Sequence, residues 1–378
     1  RLNFWRTTFA DSGIEQETLD HTSLLNLPVA TKQDFVDHPV TEYAYRGGVR
    51  GSWFDHTSGS TGRPFRFLHD RHYKLRSLAI CDRMFRTAGG GVRFPVISMR
   101  ARWRPGVLHQ NDYYFYVRGF NSLQQRLPAL EQLASRYPQG IILQAFSSIL
   151  VEFARIVEQQ GTSLPLRAVL ATGESISDDQ RKRIENILGV KLFMGYTTRE
   201  LGWLGFECEN RRLHINEEWA YVEIINERGE RVPDGMEGSV VITTFDNRVM
   251  PFIRYRTGDI GTISRERCPC GRTLKTIRII GRTAHRIELG NGTSASLLEV
   301  AGAFDRFFNA IRHFQIIQKG PSDFIVRVVA GPTFPLEKNY VHKALLRVLH
   351  QDVSITWDVV DVIPETIGGK AAYFVRDY

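Results

Sequence analysis

Leu166-Arg-Ala-Val-Leu-Ala-Thr172 is an apolar run of strand length closed by Gly173-Glu174, and a helical stretch, Ser177 to Leu188, and a second apolar run, Val190-Lys-Leu-Phe-Met194, follow it. The same rhythm precedes it: Gly140 to Ala145 reads as strand and Ser147 to Gln160 as helix. Strands alternating with helices predict parallel strands joined by helical crossovers, an α/β fold. Further upstream, Tyr73, Leu75, Leu78, Ile80 and Phe85 give Asp70 to Thr87 a helical pattern, and Phe94 to Met99 reads as a buried strand. Ligands of open α/β sheets gather beyond the carboxyl ends of strands, so Gly173-Glu174 and Gly195-Tyr196 are site candidates by position alone.

Downstream the pattern changes. Trp219 to Ile225, Gly238 to Phe245 and Ile260 to Ile263 are short strands punctuated by Asn226 to Gly229 and Pro233-Asp-Gly235, which predicts antiparallel sheet. Beyond Gly281 the order is helix (Leu297 to Phe308), strand (Ile311 to Lys319), strand (Asp323 to Ala330), helix (Leu336 to His350), strand (Val353 to Val362). The expectation is a large domain over residues 1–281 with parallel and antiparallel sheets, and a small αββαβ domain over 282–378.

With 42% hydrophobic and 24% charged residues among 378, the composition is that of a soluble globular protein. No apolar run approaches the ~20 residues of a membrane helix, and the first residues lack a basic-then-apolar leader. The expected address is therefore cytoplasmic, with no membrane partner. The net charge of +8 is uneven: thirteen Lys/Arg face three Asp/Glu between Arg63 and Arg126, which suits a polyanionic ligand. Aromatics interleave with this charge at Arg100-Ala-Arg-Trp-Arg104 and Tyr113-Tyr-Phe-Tyr116, so nucleic acid is the minority expectation beside a nucleotide-sized anion or a solvated face.

His56-Thr-Ser-Gly-Ser-Thr-Gly-Arg-Pro64 gives that anion a place. Gly59 and Gly62 let backbone N–H groups converge, Thr57, Ser58, Ser60 and Thr61 add hydroxyls, and Arg63 adds charge. The spacing differs from G-x-x-x-x-G-K-[ST], so a phosphate would be held differently. A solvated turn has the same composition, and taken alone the stretch does not choose between the two.

Cys208, His214, Cys268 and Cys270 form a second constellation. Three thiolates and one imidazole complete a tetrahedral set with no open position, the description of a structural Zn²⁺ site. Cys-x-Cys is tighter than the usual two-residue gap, and three reduced thiols beside an unrelated histidine is the plainer alternative.

Taken in order, Thr57 to Gly62, Gly173-Glu174, Gly195-Tyr-Thr-Thr-Arg-Glu200, Tyr255-Arg-Thr-Gly-Asp259, Gly281-Arg282 and Gly369-Lys370 resemble the adenylate-forming superfamily. Pro251-Phe-Ile-Arg-Tyr-Arg-Thr-Gly-Asp259 and Cys268-Pro-Cys-Gly-Arg272 bring it nearest the phenylacetate–CoA ligase-like branch, which includes capsular-polysaccharide and natural-product relatives. The resemblance implies an ATP-dependent, AMP-forming ligase. A carboxylate attacks the α-phosphate of ATP, pyrophosphate leaves, and the acyl group passes to coenzyme A. Such chemistry needs charge neutralisation more than acid–base work.

By the same resemblance, Thr57, Ser58, Gly59, Ser60, Thr61 and Gly62 grip the β- and γ-phosphates; Tyr196 stacks on adenine, with Gly173, Glu174 and Thr197 lining that pocket. Glu200 holds Mg²⁺, Asp259 accepts the ribose hydroxyls, and Arg282 reaches the ribose or α-phosphate. Lys370, on a mobile lid, bridges the carboxylate and the α-phosphate. Three positions depart from the pattern: Ala284 stands where the family commonly has Asp, Thr197 replaces a Gly, and Arg199 stands where Ser or Thr often precedes the glutamate. Arg199 is a candidate extra cation for pyrophosphate. Ala284 shifts weight toward an amine or a carrier protein as acyl acceptor, the alternative to coenzyme A; a non-catalytic basic nucleic-acid binder is the third reading. Phe146, Phe193, Trp203 and Phe206 are candidates to line an apolar or aromatic acid pocket, and core packing accounts for them equally. The sequence leaves room for an oligomer without requiring one.

Overall fold

The computed structural model describes residues 3–13, 21–45, 51–57, 65–90, 94–100, 112–116, 119–305, 307–364 and 372–378. Contacts divide the chain into two compact units: residues 1–93 with 193–279, and residues 94–192 with 280–378.

In the first unit, sheet neighbours run in the order Leu192–Thr198, Gly202–Glu207, Leu213–Ile215, Thr276–Arg282, Tyr255–Ser264, Gly238–Thr244, Ala220–Ile225. Antiparallel pairing dominates, as in Tyr221 opposite Thr243 and Phe206 opposite His214. Strand Tyr255–Ser264 starts five residues earlier than its apolar run suggests, because Arg256, Thr257 and Asp259 are polar residues spent on pairing and on the site. A separate hairpin pairs Trp53–His56 with Arg66–His69 and brackets the Ser/Thr/Gly stretch. Helix Arg71–Thr87 follows, its first turn capped by Asp70, whose carboxylate accepts from Tyr73 N at 2.7 Å.

Arg254 anchors this unit. It lies buried at φ +43° and donates to both Glu223 oxygens, to the carbonyls of Leu25 and Leu27 at 2.7 and 2.5 Å, and to Gly229 O at 3.0 Å. Ala30 bridges Tyr255 beside it, so the stretch 25–30 is stitched to the strand that carries Asp259. Glu223 is wholly enclosed, and only a filled guanidinium fork makes such a buried charge tolerable.

The second unit holds the parallel strands, in the order Leu166–Thr172, Ile141–Phe146, Val96–Arg100, Asp112–Tyr116. Helix Ser147–Gln160 makes the crossover between the first two, as the alternation predicts. Helix Asp178–Leu188 begins with a capping box between Ser177 and Gln180 and ends at Gly189, whose φ of +68° terminates the helix at little steric cost. Helix Gly119–Ala134 contains Pro128, which hides its helical signal in the sequence. The segment beyond Gly281 forms a four-stranded sheet ordered Ser354–Val359, Asp323–Ala330, Ile311–Gly320, Phe374–Arg376. Helices Leu297–Asp305 and Phe334–Leu349 cover it, burying Val300, Phe304, Val341 and Leu345 against Ile316, Val326 and Val328. Each such side chain contributes about 1.5–3 kcal/mol by leaving water. The αββαβ order holds, with Phe374–Arg376 added parallel to Ile311–Gly320. The architecture is the α/β class with parallel and antiparallel sheet and a small C-terminal sheet. No described helix is long and apolar enough to cross a membrane.

Candidate functional site

The turn Arg199-Glu200-Leu201 joins strands Leu192–Thr198 and Gly202–Glu207, and its tip is held from several sides. The Glu200 carboxylate is buried and accepts from the Tyr255 hydroxyl at 3.3 Å. Its carbonyl accepts from His69 Nε2 at 2.9 Å, and the His69 ring stacks on Tyr73 at 3.7 Å. Burial drives His69 down to about 4, so it is a neutral donor at physiological pH. Gly202, at φ +72°, lies against Tyr73, and a Cβ there would clash with the Tyr73 hydroxyl. Arg199 pairs with Asp55 at 2.9 Å; Asp55 lies on the strand that leads to Thr57.

Thr57 closes the stem of the bracketing hairpin. Its N donates to Phe65 O at 3.0 Å and its Oγ1 accepts from Phe65 N at 3.1 Å. Ser58, Gly59, Ser60, Thr61 and Gly62 lie outside the described residues, as do Arg63 and Lys370.

Tyr196 donates to Asp259 Oδ2 at 2.7 Å. Asp259 N in turn donates to Thr257 Oγ1 at 3.1 Å, which fixes the Thr-Gly-Asp turn. Two phenol–carboxylate bonds thus run in opposite directions: Tyr196 to Asp259, and Tyr255, on the strand of Asp259, to Glu200, just past the strand of Tyr196. The adenine, ribose and metal candidates therefore share one hydrogen-bonded frame, with Thr197 part-buried within it.

The other nucleotide candidates belong to the second unit. Glu174 Oε2 accepts from Ser148 N at 2.9 Å and its carbonyl accepts from Ser147 Oγ at 3.0 Å, which docks the Gly173-Glu174 turn on the start of helix Ser147–Gln160. Arg282 is exposed at the end of strand Thr276–Arg282, ahead of the turn Thr283–His285 that holds Ala284.

The four soft ligands do come together. The ligand atoms of Cys208, His214, Cys268 and Cys270 lie within 4.8 Å of one another. Cys208 Sγ is 3.6 Å from Cys268 Sγ, and Cys270 Sγ is 3.3 Å from His214 Nε2. Zn–S bonds of about 2.3 Å in a tetrahedron give sulfur–sulfur edges of about 3.8 Å, so the spacing fits. His214 Nδ1 donates to Leu274 O at 3.0 Å, which leaves the Nε2 lone pair facing the thiols, the orientation a metal-bound imidazole needs. Burial pushes the Cys208 thiol up to about 11. Burial acts the same way on Cys270, but hydrogen bonds from Arg272 outweigh it and lower that thiol. Phe206 is spent here, with its ring beside His214 and the guanidinium groups of Arg83 and Arg272 over it.

Asp55, His69, Ser147 and Ser148 carried no sequence signal of a place in the site, because each acts through a partner distant in the chain, and Tyr73 stood out only as part of a helical pattern. Tyr255 did, since it stands inside the Pro251 to Asp259 run.

The family model of the CapK C-terminal domain matches residues 290–377. A phenylacetate–coenzyme A ligase of Thermus thermophilus is 25% identical over 344 residues, covering 84% of this chain and 74% of that protein. Over most of its length the chain is thus similar to a phenylacetate–CoA ligase. Among adenylate-forming structures, 2-hydroxyisobutyryl-CoA ligase in its postadenylation state, bound to an acyl-AMP, is similar with a TM-score of 0.79 at 16% identity, over 99% of this chain and 85% of that one. An anthranilate CoA ligase bound to anthranoyl-AMP is similar with a TM-score of 0.62 at 12% identity, over 84% and 65%.

Proposed function

We propose that this adenylate-forming ligase converts a small carboxylic acid to its acyl-adenylate, with release of pyrophosphate, and passes the acyl group to coenzyme A. The observation that carries the reading is the reciprocal pair Tyr196–Asp259 and Tyr255–Glu200, which preorganises an aromatic face, a ribose acceptor and a metal carboxylate together. A buried carboxylate that accepts from a neutral phenol suits Mg²⁺, which neutralises phosphate charge when bound. Glu200 would hold the ion, Asp259 the ribose hydroxyls, Tyr196 the adenine, and Thr57 with Ser58 to Gly62 the outer phosphates. Arg282 and Lys370 supply cations around the α-phosphate. Zn²⁺ at Cys208, His214, Cys268 and Cys270 would be structural, because four protein donors leave no position for substrate.

Ala284, exposed in the turn before the C-terminal sheet, favours a second reading in which an amine or a carrier protein takes the acyl group. Pyrophosphate release across a panel of carboxylic acids, with and without coenzyme A, tests both readings. The first expects acid-dependent pyrophosphate release and a thioester product only with coenzyme A; the second expects adenylation with no thioester. Lys370→Ala is expected to lower adenylation by about a hundredfold or more while ATP binding persists. Absence of acid-dependent pyrophosphate release across the panel would refute the proposal.

A further inference from the structure

Trp53, Asp55, Phe67 and His69 share one face of the hairpin that brackets the Ser/Thr/Gly stretch, because Trp53 pairs with His69 and Asp55 with Phe67. Two of the four reach the same turn. Asp55 holds the Arg199 guanidinium at 2.9 Å, and His69 Nε2 donates to the Glu200 carbonyl at 2.9 Å. One hairpin therefore grips two consecutive residues of the turn that carries the metal candidate.

The imidazole is fixed in both proton and plane. A carbonyl can only accept, so the neutral ring carries its proton on Nε2. The ring is buried and stacked on Tyr73 at an interplanar angle of 11°, while the rings of Phe67 and Trp53 stand 5.0 and 6.0 Å away on inclined planes. Beyond Glu200 the turn is tied again: Leu201 N donates to Thr198 Oγ1 at 3.1 Å, and Trp219 Nε1 donates to Leu201 O at 2.6 Å. Between these ties and Arg199 lies the peptide that directs the Glu200 side chain, and His69 holds it at its carbonyl. Burying a polar ring costs desolvation that an apolar residue would avoid. What the ring adds here is a fixed backbone directly behind a carboxylate whose Oε1 accepts from Tyr255.

We propose that His69 is a positioning residue for the metal carboxylate: by fixing the Glu200 carbonyl, it keeps the carboxylate on the frame shared with Tyr255 and Asp259 and so sets how strongly Mg²⁺ tightens nucleotide binding. This deepens the reading of Glu200 as the Mg²⁺ ligand given under Proposed function and rests on it.

His69→Phe keeps a ring to stack on Tyr73 and removes the N–H; His69→Gln places an amide N–H at about the same reach. Titration calorimetry with ATP, in EDTA and in Mg²⁺, gives for each protein the factor by which the ion tightens binding. That factor should fall about five- to tenfold in His69→Phe, the effect of one net hydrogen bond, with affinity in EDTA unchanged, and should return to within about twofold of wild type in His69→Gln. Should His69→Phe fail to fold, His69→Asn, whose amide falls short of the carbonyl, carries the same expectation. Equal weakening with and without Mg²⁺ would reveal a merely structural residue, and a factor as large as that of wild type would overturn the positioning role. Glu200→Gln separates that outcome from failure of the reading beneath it. If Glu200→Gln loses the tightening while His69→Phe keeps it, only the role of His69 falls; if Glu200→Gln also keeps it, the metal assignment falls and the role of His69 with it.

Discussion

The Tyr196 hydroxyl donates to Asp259 Oδ2 at 2.7 Å and joins two strands that are not neighbours in the sheet. A carboxylate held by one phenol keeps lone pairs turned toward a second donor, which is what a ribose diol supplies. Asp259→Asn should therefore weaken ATP binding by about tenfold or more, because it removes charge-assisted acceptance. Tyr196→Phe, which keeps a stacking face, should cost about threefold. Titration calorimetry with ATP ranks the two, and equal losses would mean that the phenol rather than the carboxylate meets the nucleotide.

His69 sets a stability limit on the acid side. The unfolded chain protonates this group near 6.5, whereas burial holds it near 4 in the folded protein, so unfolding takes up a proton between those values. The stabilisation is complete above about pH 6.5 and is lost as pH falls toward 4, amounting to about 3 kcal/mol at its largest. His313 is depressed to about 4 by burial and adds a loss in the same window. Urea unfolding from pH 7 to 4.5 should show the decline, and His69→Gln should flatten part of it.

Elemental analysis of protein purified without chelator should find one zinc per chain. Cys268→Ser should lose the ion and lower Tm by about 5 °C or more, because binding free energy at a closed site is folding free energy. Zinc retained in that variant would place the metal elsewhere.

Arg254→Met leaves Glu223 as a buried, unpaired anion and frees the carbonyls of Leu25, Leu27 and Gly229. The expected loss is about 3–5 kcal/mol in urea unfolding. Glu223→Leu combined with Arg254→Met should recover part of it, since the worst species is the lone charge.

Much of the α/β half was legible. Apolar runs such as Leu166 to Thr172 are buried on both faces, and Ser177 and Asp70 announce the helices they cap. Strands Gly202–Glu207, Leu213–Ile215 and Thr276–Arg282 were not, because each carries glycine, charge or ligand residues in place of an alternating pattern. In the site, Tyr196, Glu200 and Asp259 stood out through motif order, and Cys208, His214, Cys268 and Cys270 through ligand chemistry. Their supports did not. That Tyr255 reaches Glu200 follows from a chain reversal hundreds of atoms long, on which local spacing carries no information.

The stitching of residues 25–30 to the strand of Asp259 bears on how this protein is cut for study. A shortened version beginning after Ala30 would strip two acceptors from the Arg254 fork and an edge partner from Tyr255, two residues upstream of the Thr-Gly-Asp turn. Weak nucleotide affinity in such a trimmed protein would report an unzipped flank, and only a version that retains Leu25 can speak for the native catalyst.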